Sequence, residues 1–211
     1  MKQTPLRIAG LNDDLYAGFG PRIASLLLDI IFFLPIGILT TWLNGLSKDA
    51  FYYTMVPNLL FGLWYYIYLP KKYGGTPGKL LVGIKILKID GRPIGWDEAV
   101  LRHVVLLVLQ IFNVVITIMA LDLADEDIYL TLSWFEKSAY LTALMPGYFR
   151  AYTLVSSVWV WSELIVLLTN PRKRAFHDYM AGTVIIKKRY EAAIVREMYP
   201  EEKNNPGPVS A

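Results

Sequence analysis

The 211-residue chain has no cysteine. Disulfides, thiolate catalysis and cysteine-based metal sites are therefore excluded. It has two histidines, His103 and His177, and no cluster of ligating side chains at metal-site spacing. It also lacks a nucleophile with an attendant base and an oxyanion site, which a catalytic reading of His177-Asp178 would need. The glycine-rich stretch at residues 74–79 is no phosphate loop. Tyr73 stands where the Walker pattern needs glycine, and Leu80 where it needs Ser or Thr. No cofactor and no enzymatic activity are expected. Residues 1–15 are polar and mixed, without the short apolar run of a signal peptide. The formal net charge is only +3, and its Lys and Arg sit in short loops beside apolar blocks. A nucleic-acid partner would require them gathered on a soluble face. Anionic lipid headgroups are the expected partners instead, met by Lys71, Lys72, Lys79, Arg172, Lys173 and Arg174.

What the chain does have is apolar length. Its residues are 55% hydrophobic, against about 45–50% in soluble domains, and the mean hydropathy is +0.37. The excess falls into blocks of membrane length. We read four spanning helices, at residues 22–43, 52–69, 99–121 and 151–169. Four spans of roughly 20 residues leave no room for a separate soluble domain. The expected fold class is an all-α polytopic membrane protein with a small cytosolic β-hairpin-like element. Residues 82–94 alternate β-branched and polar residues around Asp90-Gly91, which reads as that hairpin. Residues 183–188 read as a further strand, able to pair with it under the membrane. Residues 128–149, broken by Glu136, Lys137, Pro146 and Gly147, read as an interfacial helix and loop. Residues 190–211 read as a flexible cytosolic tail.

Charge asymmetry orients the spans. Lys71, Lys72, Lys79, Lys85, Lys88 and Arg92 follow the second span, and Arg172, Lys173, Arg174, Lys187, Lys188 and Arg189 follow the last. Basic loops stay in the cytoplasm. An even number of spans, with residues 1–21 and the C-terminus inside, keeps both clusters there; a fifth span would export one.

Charged side chains at bilayer depth narrow the functional candidates. An unpaired acid there costs at least roughly 2.5–3.5 kcal/mol. Arg22 opens the first span and Asp29 follows two helical turns later, about 10 Å along the same face. Arg22 is thus the expected counter-charge of Asp29. Glu163 lies inside the last span without a partner on its own helix. These residues read either as a cation or proton site or as a fold-locking pair with a lumen-facing acid. Gln110 and Asn113 read as helix–helix glue. Thr76-Pro77 reads as the N-cap and first residue of a short surface helix. His177-Asp178 reads as a pair at a helix terminus, holding the C-terminal segment down, and His103 as a headgroup-facing residue.

Three motifs carry a family resemblance. They are Tyr16-Ala17-Gly18-Phe19-Gly20-Pro21-Arg22-Ile23-Ala24 with Asp29, then Gly75-Thr76-Pro77-Gly78-Lys79-Leu80-Leu81-Val82-Gly83-Ile84-Lys85, then Phe176-His177-Asp178-Tyr179-Met180-Ala181-Gly182-Thr183-Val184. In order and spacing the chain resembles the RDD family, named for one Arg and two Asp. These would be Arg22, Asp29 and Asp178 here. It departs from the family pattern at Gly20-Pro21 and in the long segment 122–149. The resemblance implies a bacterial or archaeal cytoplasmic-membrane protein, in a family associated with transport of undefined substrates. The expectation is a small transporter or transport accessory for cations or protons, using Arg22, Asp29 and Glu163, with Asp178 ordering or gating the cytoplasmic end. Four helices are few for a transport path, so a homo-oligomer is expected. The alternative is a non-transporting scaffold or assembly factor that presents residues 75–94 and 183–188 to a partner complex.

Overall fold

The computed structural model describes residues 3–9 and 14–200. Helix α1 (Phe19–Leu46) begins two residues before Pro21 and holds Pro35 in its interior. Leu27, Ile31, Ile38 and Trp42 are exposed along it. So large an apolar surface suits lipid and not water. The next segment is one helical run in three pieces: α2 (Ala50–Leu63), a π turn (Trp64–Tyr68) and α3 (Leu69–Tyr73). Pro70 has no N–H to give a carbonyl one turn back, and the Leu69 N–H reaches five residues back to the Trp64 carbonyl. The run lies antiparallel to α1. Asn44 contacts Thr54, Thr40 contacts Asn58, Phe33 packs on Phe61, and Asp29 meets Tyr65.

A short helix, α4 (Pro77–Leu81), follows with Thr76 as its N-cap. Strand β1 (Ile84–Lys88) leads to α5 (Trp96–Leu123), whose Glu98 caps the Gly95 N–H at 2.7 Å. Residues 122–149 contain α6 (Glu126–Thr131), capped by Asp125, and α7 (Trp134–Leu144), whose Ser133 N–H and hydroxyl both donate to Glu136. Then come α8 (Pro146–Thr169), α9 (Phe176–Met180), β2 (Thr183–Lys187) and α10 (Glu191–Met198). Among the described residues three helices are long and apolar enough to cross a membrane, α1, α5 and α8. The segment expected as the second span is the run broken by the π turn.

The hairpin expectation needs correction. Gly91, at φ +88°, makes the anticipated turn, but its second arm meets β1 just past the turn, with the Lys88 N–H donating to the Arg92 carbonyl at 2.8 Å and Leu87 opposite Pro93. Proline has no N–H for a ladder, so the arm ends there. The true partner of β1 is β2, antiparallel, with Ile86 opposite Ile185. Both faces of this two-stranded sheet are covered. Ile84, Ile86 and Ile185 pack on Ile67 and Ala99 of the long helices. Leu87, Val184 and Ile186 pack on Leu15, Tyr16 and α10.

The tail expectation changes with it. Residues 191–198 form the docked helix α10, with Ile194 fully buried and Met198 nearly so; residues 201–211 lie outside the described ones. Replacing Ile194 by Ala is expected to cost about 2–4 kcal/mol of local docking. Limited trypsin digestion should then cleave at Arg189 and Arg196 several-fold faster, with helix content by circular dichroism unchanged.

Candidate functional site

The charged residues meet where α1, α5 and α8 reach the sheet. Asp178 is their hub, in the first turn of α9 and fully buried. Arg22 Nη1, from the start of α1, donates to its Oδ2 at 2.9 Å. Arg102 Nη1, from α5, is in close contact with its Oδ1 and with the Thr183 hydroxyl. The Ala175 N–H donates to Oδ2 at 2.9 Å. Burial alone would raise this carboxyl, but Arg102 and Arg22, with the Ala175 N–H, outweigh it. They hold Asp178 well below the usual carboxylate range.

The expected Arg22–Asp29 pair does not form. Side chains on a helix lean toward its N-terminus, so Arg22 in the first turn points out of α1 and away from Asp29. Its remaining bonds go to the Ala17 and Lys173 carbonyls. Lys173 holds φ +50°, a conformation few non-glycine residues adopt, and this turn presents its carbonyl. Asp29 is held by other donors. They are the Tyr65 hydroxyl at 2.6 Å, the Thr76 hydroxyl at 2.7 Å and the Gly78 N–H at 2.8 Å, with Lys79 Nζ at 3.8 Å.

Glu163 also has a partner from a distant element. It accepts from the His177 N–H at 2.9 Å and lies 2.6 Å from His177 Nδ1. Arg102 Nη2 lies 2.9 Å from His177 Nε2. A guanidinium only donates, so Nε2 accepts and Nδ1–H donates to Glu163. A chain of bonds thus runs Glu163–His177–Arg102–Asp178–Arg22, a latch that ties α8, α9, α5 and α1 together.

Residues 16–182 match the family model described as the RDD family. The chain belongs to the RDD family. No curated protein and no solved structure matches it. In this RDD protein Arg22 therefore pairs with Asp178, and Asp29 is held by residues 75–85 through Thr76 and Gly78.

Beside the latch lies a cavity of about 300 Å³, lined among others by Arg22, Asp29, Tyr66, Lys79, Arg102 and His103. His103 is 7% exposed and stacks on Tyr66 at 5.1 Å, instead of facing headgroups. Among the described residues its ring makes no hydrogen bond. Burial lowers the Lys79 ammonium to about 8 against the pull of Asp29. That ammonium donates to Thr76 Oγ1 at 3.4 Å and pairs with Asp29 at 3.8 Å.

Arg102, Tyr65 and His103 escaped the sequence reading as members of one site. The π turn brings in both tyrosines, Tyr65 onto Asp29 and Tyr66 onto His103. Of the expected headgroup contacts, Lys71 and Lys72 are exposed, with Lys71 over the Trp96 ring at 5.2 Å. Lys79 and Arg174 turn inward, Arg174 donating to the Thr183 and Asp178 carbonyls.

Proposed function

We propose that this RDD protein is a small, non-enzymatic, transport-class membrane protein, a transporter or transport accessory. In this reading it takes a polar ligand into the chamber beside the latch. The observation that carries the reading is His103: an imidazole only 7% exposed, with no hydrogen bond among the described residues, open to a cavity that Lys79 and Asp29 also line. A buried ionisable residue at the end of spanning helices marks a ligand or ion pathway by default.

The reading uses four spans with both termini in the cytoplasm. Two findings support it. The run 50–73 returns alongside α1. The sheet joins the chain after that run to the chain after α8, which gathers both basic segments at one end. At that end Lys71 and Lys72 meet anionic headgroups. Homo-oligomerisation would widen what four helices can enclose.

The test is flux in proteoliposomes, with Na+, K+, H+ or phosphate gradients. Wild type should exceed empty liposomes, and His103→Ala should lose about tenfold or more of that flux, the worth of one hydrogen bond to a charged group. Folded wild type that moves none of the four would overturn the transport reading.

One observation favours a scaffold instead. Both oxygens of Asp29 and of Asp178 already hold donors, and Glu163 holds His177. Such carboxylates lock helices together without exchanging ions. On this reading the charges would organise a partner complex, and Asp29→Asn would alter stability with no flux to lose.

A further inference from the structure

We infer that the chamber binds the phosphate group of a membrane phospholipid. This rests on the chamber being a ligand site and names its ligand class. What the chamber leaves only loosely engaged is donors. Asp29 is occupied by Tyr65, Thr76 and Gly78, and Asp178 is turned to its two arginines. A cation entering would find these carboxylate oxygens already taken. Lys79 carries an ammonium with one long hydrogen bond, to Thr76 Oγ1 at 3.4 Å, and one long ion pair, to Asp29 at 3.8 Å, and the His103 ring makes no hydrogen bond among the described residues. Such groups are completed by an oxyanion that accepts several hydrogen bonds. The charges agree. Arg22, Lys79 and Arg102 line the chamber against one lining carboxylate, Asp29, while Asp178 lies behind the two arginines.

The surroundings point to a lipid as the bearer of that phosphate. The chamber's wall includes Leu26 and Leu106, both about half exposed on α1 and α5 where those helices face the bilayer. Tyr66 lies between this chamber and a second, apolar cavity of about 690 Å³. That groove runs along α1 past Ile30, Phe33, Leu34, Gly37 and Ile38. A lipid whose phosphate sits in the chamber therefore has an apolar groove for its acyl chain along α1, on the other side of Tyr66. The level is right as well, because the basic end of the helices is where inner-leaflet headgroups lie.

Delipidated wild type, Lys79→Gln and His103→Gln in detergent would be titrated with phosphatidic acid, phosphatidylcholine, diacylglycerol and inorganic phosphate. Binding would be read by native mass spectrometry and tryptophan fluorescence, and folding by thermal unfolding. Wild type should bind phosphatidic acid at least about tenfold more tightly than diacylglycerol, and each variant should lose about tenfold while still unfolding cooperatively. Leu106→Trp, which narrows the rim and leaves the donors intact, should weaken the lipid without weakening inorganic phosphate. Competition by inorganic phosphate supports a phosphate site filled from the bilayer. Binding of inorganic phosphate alone, lost in both variants, overturns the lipid source. Equal binding of diacylglycerol, or equal binding by folded variants, overturns the phosphate site. Cation flux in liposomes without any binding of these probes overturns this inference and leaves the transport reading standing. Phosphatidic acid binding without flux does the reverse.

Discussion

Asp178→Ala is expected to destabilise this protein by about 3–5 kcal/mol, the largest single-residue effect in the chain. The cause is electrostatic. Arg22 and Arg102 are nearly buried, with side chains 11% and 8% exposed, and both donate to one carboxylate. Removing it leaves two desolvated guanidiniums without a counter-ion, and a broken buried pair costs far more than the intact pair contributes. The Ala175 N–H loses its acceptor as well. The expected readout is an apparent Tm in detergent lowered by about 10 °C. Asp178→Asn keeps the shape and one acceptor oxygen, so it should fall between wild type and Ala. If Asp178→Ala melts within a degree or two of wild type, the latch does not hold the helices. The pH dependence has a definite sign. The folded carboxyl is depressed below its unfolded value, so its stabilisation is full above the ordinary carboxylate pKa near 4. It is lost only as pH falls through the depressed value, and the latch should survive mild acid.

The long helices were legible because apolar length is a local property. The second one shows the limit. Its apolar run is plain in residues 52–69, but Pro70 and the crowded aromatics turn it into a π turn that splits the helix. Partner choice was less legible. Arg22 and Asp29 share a face, and from the sequence no acid looks nearer; yet the direction of an arginine in a first turn sends it away, to a residue 156 positions on. Glu163 likewise looked unpartnered because its partner, His177, arrives from beyond the helix end. The docked α10 could have been found. Ile194 and Met198 stand four apart, beyond Tyr190, with Glu191 and Arg196 between the apolar positions. The proximity of Gly91, whose turn faces Met198, could not.

Gly78→Ala tests the other half of the site and is the second large effect expected. Gly78 belongs to the middle family motif, whose role the sequence left as a surface helix start. In the folded chain its backbone is pressed against α1. Its N–H donates to Asp29 at 2.8 Å. A Cβ there would lie 2.5 Å from Asp29 Oδ1 and closer still to the Ser25 carbonyl. The second obstacle is helix backbone and cannot swing aside. α4 would have to lift off α1, and overpacking of this kind costs about 1–3 kcal/mol. The lifted helix also gives up the Gly78 and Thr76 hydrogen bonds to a buried carboxylate, each worth about 1.5–3 kcal/mol. A loss of about 4 kcal/mol is expected, seen as a lowered apparent Tm and as faster hydrogen exchange in residues 76–81. Gly62→Ala is the control. Gly62 is also helical and buried, but a Cβ on it meets nothing within 4 Å. Alanine there should be neutral or stabilise the helix by up to about 1 kcal/mol. Should both substitutions behave alike, Gly78 would be present for flexibility. If only Gly78→Ala is damaging, the glycine is there because Asp29 needs a backbone N–H at a distance no side chain permits, and the motif's task is to hold the first family aspartate in place.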